Sequence, residues 1–256
     1  MRSDSDINYP DHMETLMKLK NNFRMSLMDE KPHIKEYHRV RDLHQDIVDS
    51  MVKYFQDGKF EQKAYAGFVP PLDPRSPNKR ENSLIPVDLK FDLDTREGAQ
   101  AFYDMVIYKP APNMNCITEE YINNRRYRIP ERVKFLHSML ASKRGLFIIE
   151  KTDAEEGYVY LKEVFTGDEY KIVDIGLSGN KNFKDIYMYT RIVTHYSTSF
   201  NTGLGFFFIK SDEFIEKYIW QHKRDRIPNG DFLMFTQLYS QYAKFPGKLK
   251  IVINRI

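Results

Sequence analysis

The chain has 256 residues, 41% hydrophobic and 29% charged, with 39 basic and 36 acidic residues giving a formal net charge of +3. That length can bury a core without metal or disulfide staples, and 17 Tyr and 18 Phe set the chain apart from disordered sequences. The near-balanced charge argues against a dedicated DNA-coating role and leaves a local basic patch open, and the single cysteine, Cys116, excludes an internal disulfide or a zinc site with two or more sulfurs.

One thiol suits a reducing, cytoplasmic setting. The first residues, Met1-Arg-Ser-Asp-Ser-Asp6, are polar and no apolar core follows them, so no signal peptide is expected. No run approaches the ~18 apolar residues that read as a membrane-spanning helix.

Residues 10–56 predict a helical hairpin. Met13, Leu16, Met17, Leu19, Phe23 and Leu27 recur at helical spacing, Asp29-Glu-Lys-Pro32 interrupts them, and Pro32 is placed to open a second helix. That helix carries Ile34, Tyr37, Val40, Leu43, Ile47, Met51 and Phe55, and Asp57-Gly58 ends it. Residues 64–93, with Pro70, Pro71, Pro74, Pro77 and Pro86, read as a long irregular connection. Thr95 to Tyr108 returns to helix, with Ala99, Phe102, Tyr103, Val106 and Ile107 on one face. Thr118, as N-cap, opens a short charged helix to Tyr127, and Pro130 starts another that bears Val133, Leu136, Met139 and Leu140 and stops at Gly145.

Strand signals fill residues 146–209: Leu146–Glu150, Tyr158–Val164, Glu169–Val173, Ile186–Tyr196 and Gly205–Ile209, each rich in Val, Ile, Tyr or Phe and bounded by Gly, Asn or Asp. Thr166-Gly167-Asp168 reads as a hairpin turn in which Gly167 supplies the positive φ. Val159, Leu161 and Glu163 alternate with Tyr160 and Lys162, which directs one face into a core and leaves Glu169 and Lys171 on the following strand exposed. Phe147, Ile149, Val159, Leu161, Ile172, Ile192 and Phe207 are the expected β core. Ser211 is expected to cap a helix bearing Phe214, Ile215, Tyr218, Ile219 and Trp220. Residues 231–242 read as further helix and 248–254 as a terminal strand.

Within residues 132–220 the run Val159-Tyr-Leu-Lys-Glu163-Val-Phe-Thr166-Gly167-Asp168-Glu169, followed by Val173-Asp174, Leu177-Ser178 and Arg191-Ile192, resembles a pattern of uncharacterised bacterial proteins associated with the SEC-C metal-binding motif. Where that pattern has Gly-Asp, this chain has Lys184-Asp185. The resemblance implies a β-module and no assigned activity. The SEC-C motif itself needs several cysteines, so its metal role does not carry over to a chain with one.

Several constellations invite chemistry. His38, Asp42, Asp46 and Asp49 form one helical stripe, a possible transition-metal set. With no matching Glu-x-x-His on a facing helix, a solvated face of charge pairs is the stronger reading. Glu169-Tyr-Lys171 has the acid-x-Lys spacing of metal-dependent nucleases, yet the order of acids and strands does not suit that site, and exposed hairpin charges are the stronger reading. Gly203-Leu-Gly205 lacks the glycines and lysine of a phosphate loop. Cys116 beside Met114 and Ile117 reads as a small hydrophobe, and His137 and His195 as packed or boundary histidines. Arg125-Arg126-Tyr127-Arg128 with Arg132 and Lys134 is the densest basic cluster, joined by Lys143-Arg144 and His222–Arg226. Arg125, Arg126, Arg128 and Arg132 are the expected contacts for an anionic ligand or nucleic acid.

The fold class is therefore α+β, because helices and strands segregate without βαβ alternation. A helical hairpin occupies 1–63, the Pro-rich connection 64–93 and a helical segment 94–145. An antiparallel, barrel-like β-module with C-terminal helices and a terminal strand occupies 146–256. With no catalytic array and no cofactor motif, the expected function is non-enzymatic: an intracellular binding or adaptor protein that contacts a protein or nucleic-acid partner through a basic surface and has no membrane role. The competing reading is a Mg²⁺-dependent nuclease or other metal-dependent hydrolase using scattered carboxylates.

Overall fold

A computed structural model of the chain describes residue 26 and residues 28–55, 96–108, 116–124, 129–180, 183, 185–225 and 238–239. The expected first helix and Pro-rich connection, almost all of the 231–242 helix and the terminal strand lie outside the described residues. The described helices are α1 (Pro32–Phe55), α2 (Arg96–Ile107), α3 (Ile117–Asn124), α4 (Pro130–Leu140), the single-turn α5 (Ile175–Ser178) and α6 (Glu213–Asp225). The strands are β1 (Lys143–Asp153), β2 (Tyr158–Glu163), β3 (Glu169–Val173), β4 (Ile186–His195) and β5 (Thr198–Ile209). They form one antiparallel sheet in the order β3-β2-β1-β4-β5. The sheet is not closed, but it curls until β3 lies against β5. The α+β class holds, and no helix among the described residues is long and apolar enough to cross a membrane.

Alternation on the strands accounts for the curl. Phe147, Ile149, Val159, Leu161, Ile172 and Ile192, all at most 4% exposed, fill the inside of the curl together with Met188 and the partly buried Phe207. Each such side chain contributes about 1.5–3 kcal/mol when buried. The opposite face carries Leu146, Tyr189, Phe206 and Phe208, which pack under α2 and α6 and against Leu238 and Tyr239.

Helix α2 lies between two cores. Its Ala101 and Met105 join the outer-face cluster, while Phe102, Val106 and Ile107 join a second cluster with Val40, Ile47 and Met51 of α1 and Phe135, Leu136 and Met139 of α4. The single apolar face expected for this helix is thus too narrow, and Tyr103, placed on that face, is 42% exposed. α1 begins at Pro32 as the sequence requires and buries Ile34, Val40, Ile47 and Met51.

Several boundaries move. Thr118 sits inside α3 instead of capping it, and its hydroxyl donates to the Ile107 carbonyl at 2.7 Å, tying α3 to the end of α2. Gly145 does not stop α4, which ends at Leu140, because β1 already runs from Lys143 through it. Asp212, not Ser211, caps α6 by accepting from the Phe214 amide at 2.9 Å. Trp220 on that helix is 59% exposed, not part of the core, and His137 is exposed. β5 starts at Thr198, seven positions before the expected Gly205, because a tight turn at Tyr196-Ser197 joins it directly to β4, with Tyr196 at φ 51°.

Candidate functional site

Helices α1 and α2 and strand β5 enclose a cleft of about 460 Å³, inside the ~300–1,000 Å³ range of small-molecule sites. α1 lines it with Arg41, His44, Val48 and Val52, residues that share one face because they follow at steps of three and four. α2 contributes Gln100, Asp104 and Ile107, and β5 contributes Thr202, Gly203 and Leu204.

The β5 wall exists because the ladder slips. Thr190 pairs with Gly205 and Ile192 pairs with Asn201, so Thr202, Gly203 and Leu204 together face Arg191 alone. A bulge of this kind re-aims side chains and is frequent beside functional sites. Gly203 takes the positive φ of 93° that the excursion requires, and the Thr190 hydroxyl secures the bulge by donating to the Leu204 carbonyl at 2.6 Å. The bulge lifts Thr202 out of the ladder. Its buried Oγ1 has no hydrogen-bond partner among the described residues, which is costly for a hydroxyl unless something else engages it.

Arg41 is half-buried at the same end. One Nη1 proton goes to the Asn201 carbonyl at 2.8 Å, and the guanidinium lies 5.4 Å from the centre of the Phe200 ring. Asn201 donates onward to Asp174 Oδ2 at 2.5 Å, and Asp174 Oδ1 accepts from the Leu177 amide at the start of α5. Burial raises the Asp174 pKa, against the hydrogen bonds from Leu177 and Asn201 and the charge of Arg41. Among the described residues no carboxylate pairs with Arg41 itself.

His44, Tyr108 and Asp104 of the cleft lining are already engaged. His44 Nε2 and the Tyr108 hydroxyl share a hydrogen bond of 2.5 Å. Burial, helped by the neighbouring Arg41, lowers the His44 pKa to about 4. His44 is therefore neutral at pH 7, and burial likewise raises the Tyr108 phenol above its usual range. Asp104 takes Arg191 in a bidentate pair at 2.7 and 3.0 Å, with Arg144 at 3.4 Å, and Arg191 lies 4.6 Å over the Tyr108 ring. Arg144 and Arg191 face each other across β1 and β4, a repulsive pair that Asp104 reaches from α2 to offset. This network sets the position of α2 and thereby the width of the cleft.

The residues expected to form a basic surface fare unevenly. Arg132 is 25% exposed and donates to Asp46 at 2.6 Å, so it is paired within the chain. Arg125, Arg126 and Arg128 lie outside the described residues. The helical stripe does not converge: His38 meets Asp29 at 3.2 Å, Asp46 meets Arg132, and Asp49 accepts from Gln45 at 2.9 Å. No group of three His, Cys, Asp or Glu side chains among the described residues could hold a metal ion. Lys171 covers the Tyr158 ring at 3.5 Å and Glu169 stands 3.8 Å from Lys162, so both are spent on hairpin contacts. His195, 1% exposed, shares a 3.0 Å hydrogen bond with Ser138 through Nδ1 and is packed between Phe135 and Tyr196.

Sequence reasoning missed Arg41, His44 and Thr202. The signal for the last was Gly203, an isolated glycine inside what proves to be a strand, which marks a bulge. For Arg41 and His44 there was only their place on the helix that also carries the acidic stripe.

The chain belongs to DUF7986, a family of unknown function whose model matches residues 31–239. That span begins beside Pro32 of α1 and ends at Tyr239 of the outer-face core, so every residue of the cleft falls inside the DUF7986 region. No curated protein and no solved structure matches the chain.

Proposed function

We propose that this DUF7986 protein is a binding protein and that the cleft between α1, α2 and β5 takes a small anionic ligand. The observation that carries this reading is Arg41: a half-buried guanidinium lining a cleft, with no carboxylate partner among the described residues. A guanidinium in such a position gains most from an anion, through charge-assisted hydrogen bonds that are roughly twice as strong as neutral ones. Catalysis gains less support. His44 is neutral but its Nε2 is tied to Tyr108, and Asp104 is saturated by arginine. The metal-dependent hydrolase reading ranks lower still, since each of the carboxylates Asp46, Asp49 and Glu169 holds a separate partner.

Thermal unfolding with a panel of anions tests the proposal. Benzoate, hexanoate and inorganic phosphate would be compared with Mg²⁺, Mn²⁺ and Zn²⁺, since a ligand at a hundred times its Kd stabilises by roughly 2.7 kcal/mol. At least one anion should raise Tm in the wild type and leave Arg41→Gln unaffected. Stabilisation by the divalent cations alone would favour the hydrolase and refute the binding cleft.

A further inference from the structure

The polarity of the cleft changes along α1, and the change defines the ligand. At one end stand Arg41 and Thr202, the Oγ1 of Thr202 turned away from the cleft space; two to three turns further along come Val48 and Val52, with Ile107 of α2 beside them. Ile107 is fixed at that end because its carbonyl accepts from Thr118, whose hydroxyl also lies 3.7 Å from the Met51 sulfur. From Arg41 to Val52 the helix advances roughly 16 Å at ~1.5 Å per residue. An anionic head and an apolar body are thus both provided for, at opposite ends of one cleft.

The charge count narrows the head group. Arg41 is the one cation of the cleft lining that has no carboxylate partner among the described residues. His44 adds no second charge, because burial holds it neutral. Asp104 is shared by Arg191 and Arg144, neither of which lines the cleft, and the exposed Asp49, bonded to Gln45, adds negative charge at the rim. A monoanion balances one guanidinium. A phosphate dianion would leave a net negative charge half-buried against apolar walls, which is costly. The planar guanidinium fork also matches a carboxylate, its Nε and Nη2 being free of the Asn201 contact.

We infer that the natural ligand is a small carboxylic acid with an apolar body, its carboxylate on Arg41 and its body against Val48, Val52 and Ile107. This rests on the cleft being the binding site. The test is calorimetric titration of the full chain with benzoate and hexanoate, with their neutral amides benzamide and hexanamide, and with inorganic phosphate. The carboxylates should bind about tenfold or more tightly than the matched amides and than phosphate, the difference expected of a charge-assisted hydrogen bond. Arg41→Gln should weaken carboxylate binding roughly ten- to a hundredfold and leave the amides unchanged. Val52→Asp, on the partly exposed α1 wall of the cleft, should weaken the carboxylates roughly tenfold, so it tests the site even if Arg41→Gln fails to fold. If an amide or phosphate binds as well as the carboxylates and Arg41→Gln or Val52→Asp weakens it, the ligand class is wrong and the cleft stands. If no probe binds, or if neither substitution alters binding, both the class and the cleft are overturned.

Discussion

Asp104 and Arg191, 87 positions apart in sequence, meet as a bidentate ion pair at 2.7 and 3.0 Å with side chains only 2% and 4% exposed. The pair joins α2 to β4, behind the cleft and between the two cores that α2 separates. A buried pair like this adds little net stability over an apolar substitute, yet breaking it strands a charge. Asp104→Asn is expected to cost about 3–5 kcal/mol by urea unfolding, with the m-value unchanged. In the Asp104→Asn background, Arg191→Met should cost less than it does alone, with a coupling of about 0.5–3 kcal/mol. Additive losses would show that the two side chains act separately.

The burial of His44 makes stability depend on pH. Burial lowers the His44 pKa to about 4 from an ordinary 6.5. Between those values the unfolded chain binds a proton that the folded chain does not, so stability is full above about pH 6.5 and falls as pH drops toward about 4. The loss approaches about 3 kcal/mol. His195, whose pKa burial and Arg39 also lower, acts with the same sign. Unfolding free energies at pH 4.5 and pH 7 check this: His44→Gln should flatten the profile, and an unchanged slope would remove His44 as its source.

Gly157 and Gly167 both hold positive φ, 74° and 77°, but their surroundings differ. A Cβ on Gly157 would stand 2.6 Å from Met28 Cε and 3.0 Å from Ile34 Cδ1, while nothing lies within 4 Å of one on Gly167. Gly167→Ala should therefore cost only backbone strain, about 1–2 kcal/mol. Gly157→Ala should cost somewhat more, because the buried ends of the Met28 and Ile34 side chains must also shift. Equal losses in thermal unfolding would contradict the close packing of Met28 on Gly157.

Cys116 is 2% exposed, and burial pushes its thiol pKa up to about 11. Its thiolate is scarce at neutral pH, so iodoacetamide at pH 8 should alkylate the native protein far more slowly than the urea-unfolded protein. Equal rates would mean that the segment before α3 opens readily.

Much of the sheet was legible because alternation is a local signal. Six of the seven expected core residues, from Phe147 to Ile192, are buried, and the Gly167 turn and the helix starts at Pro32 and Pro130 stand where the residues put them. The cleft was not legible, for a nonlocal reason. Arg191 inside an apolar strand can be buried only because Asp104 arrives from a helix 87 positions earlier, and sequence spacing carries no trace of that pairing. Thr202 was hidden because Gly203 reads as lying before a strand that starts at Gly205, where it is a bulge within one. Arg41 and His44 share a helix with His38, Asp42, Asp46 and Asp49, and only the packed structure separates the side that faces α2 from the side that faces solvent.

The most direct measurement is a ¹H–¹⁵N chemical-shift map of the protein titrated with benzoate, including the arginine Nε–H signals. The expected result is saturable shifts at the Arg41 Nε–H and at the backbone amides of Gln100, Thr202 and Gly203, all lost in Arg41→Gln. Shifts confined to residues 125–132, or scattered over surface lysines without saturation, would contradict the cleft as the site of binding.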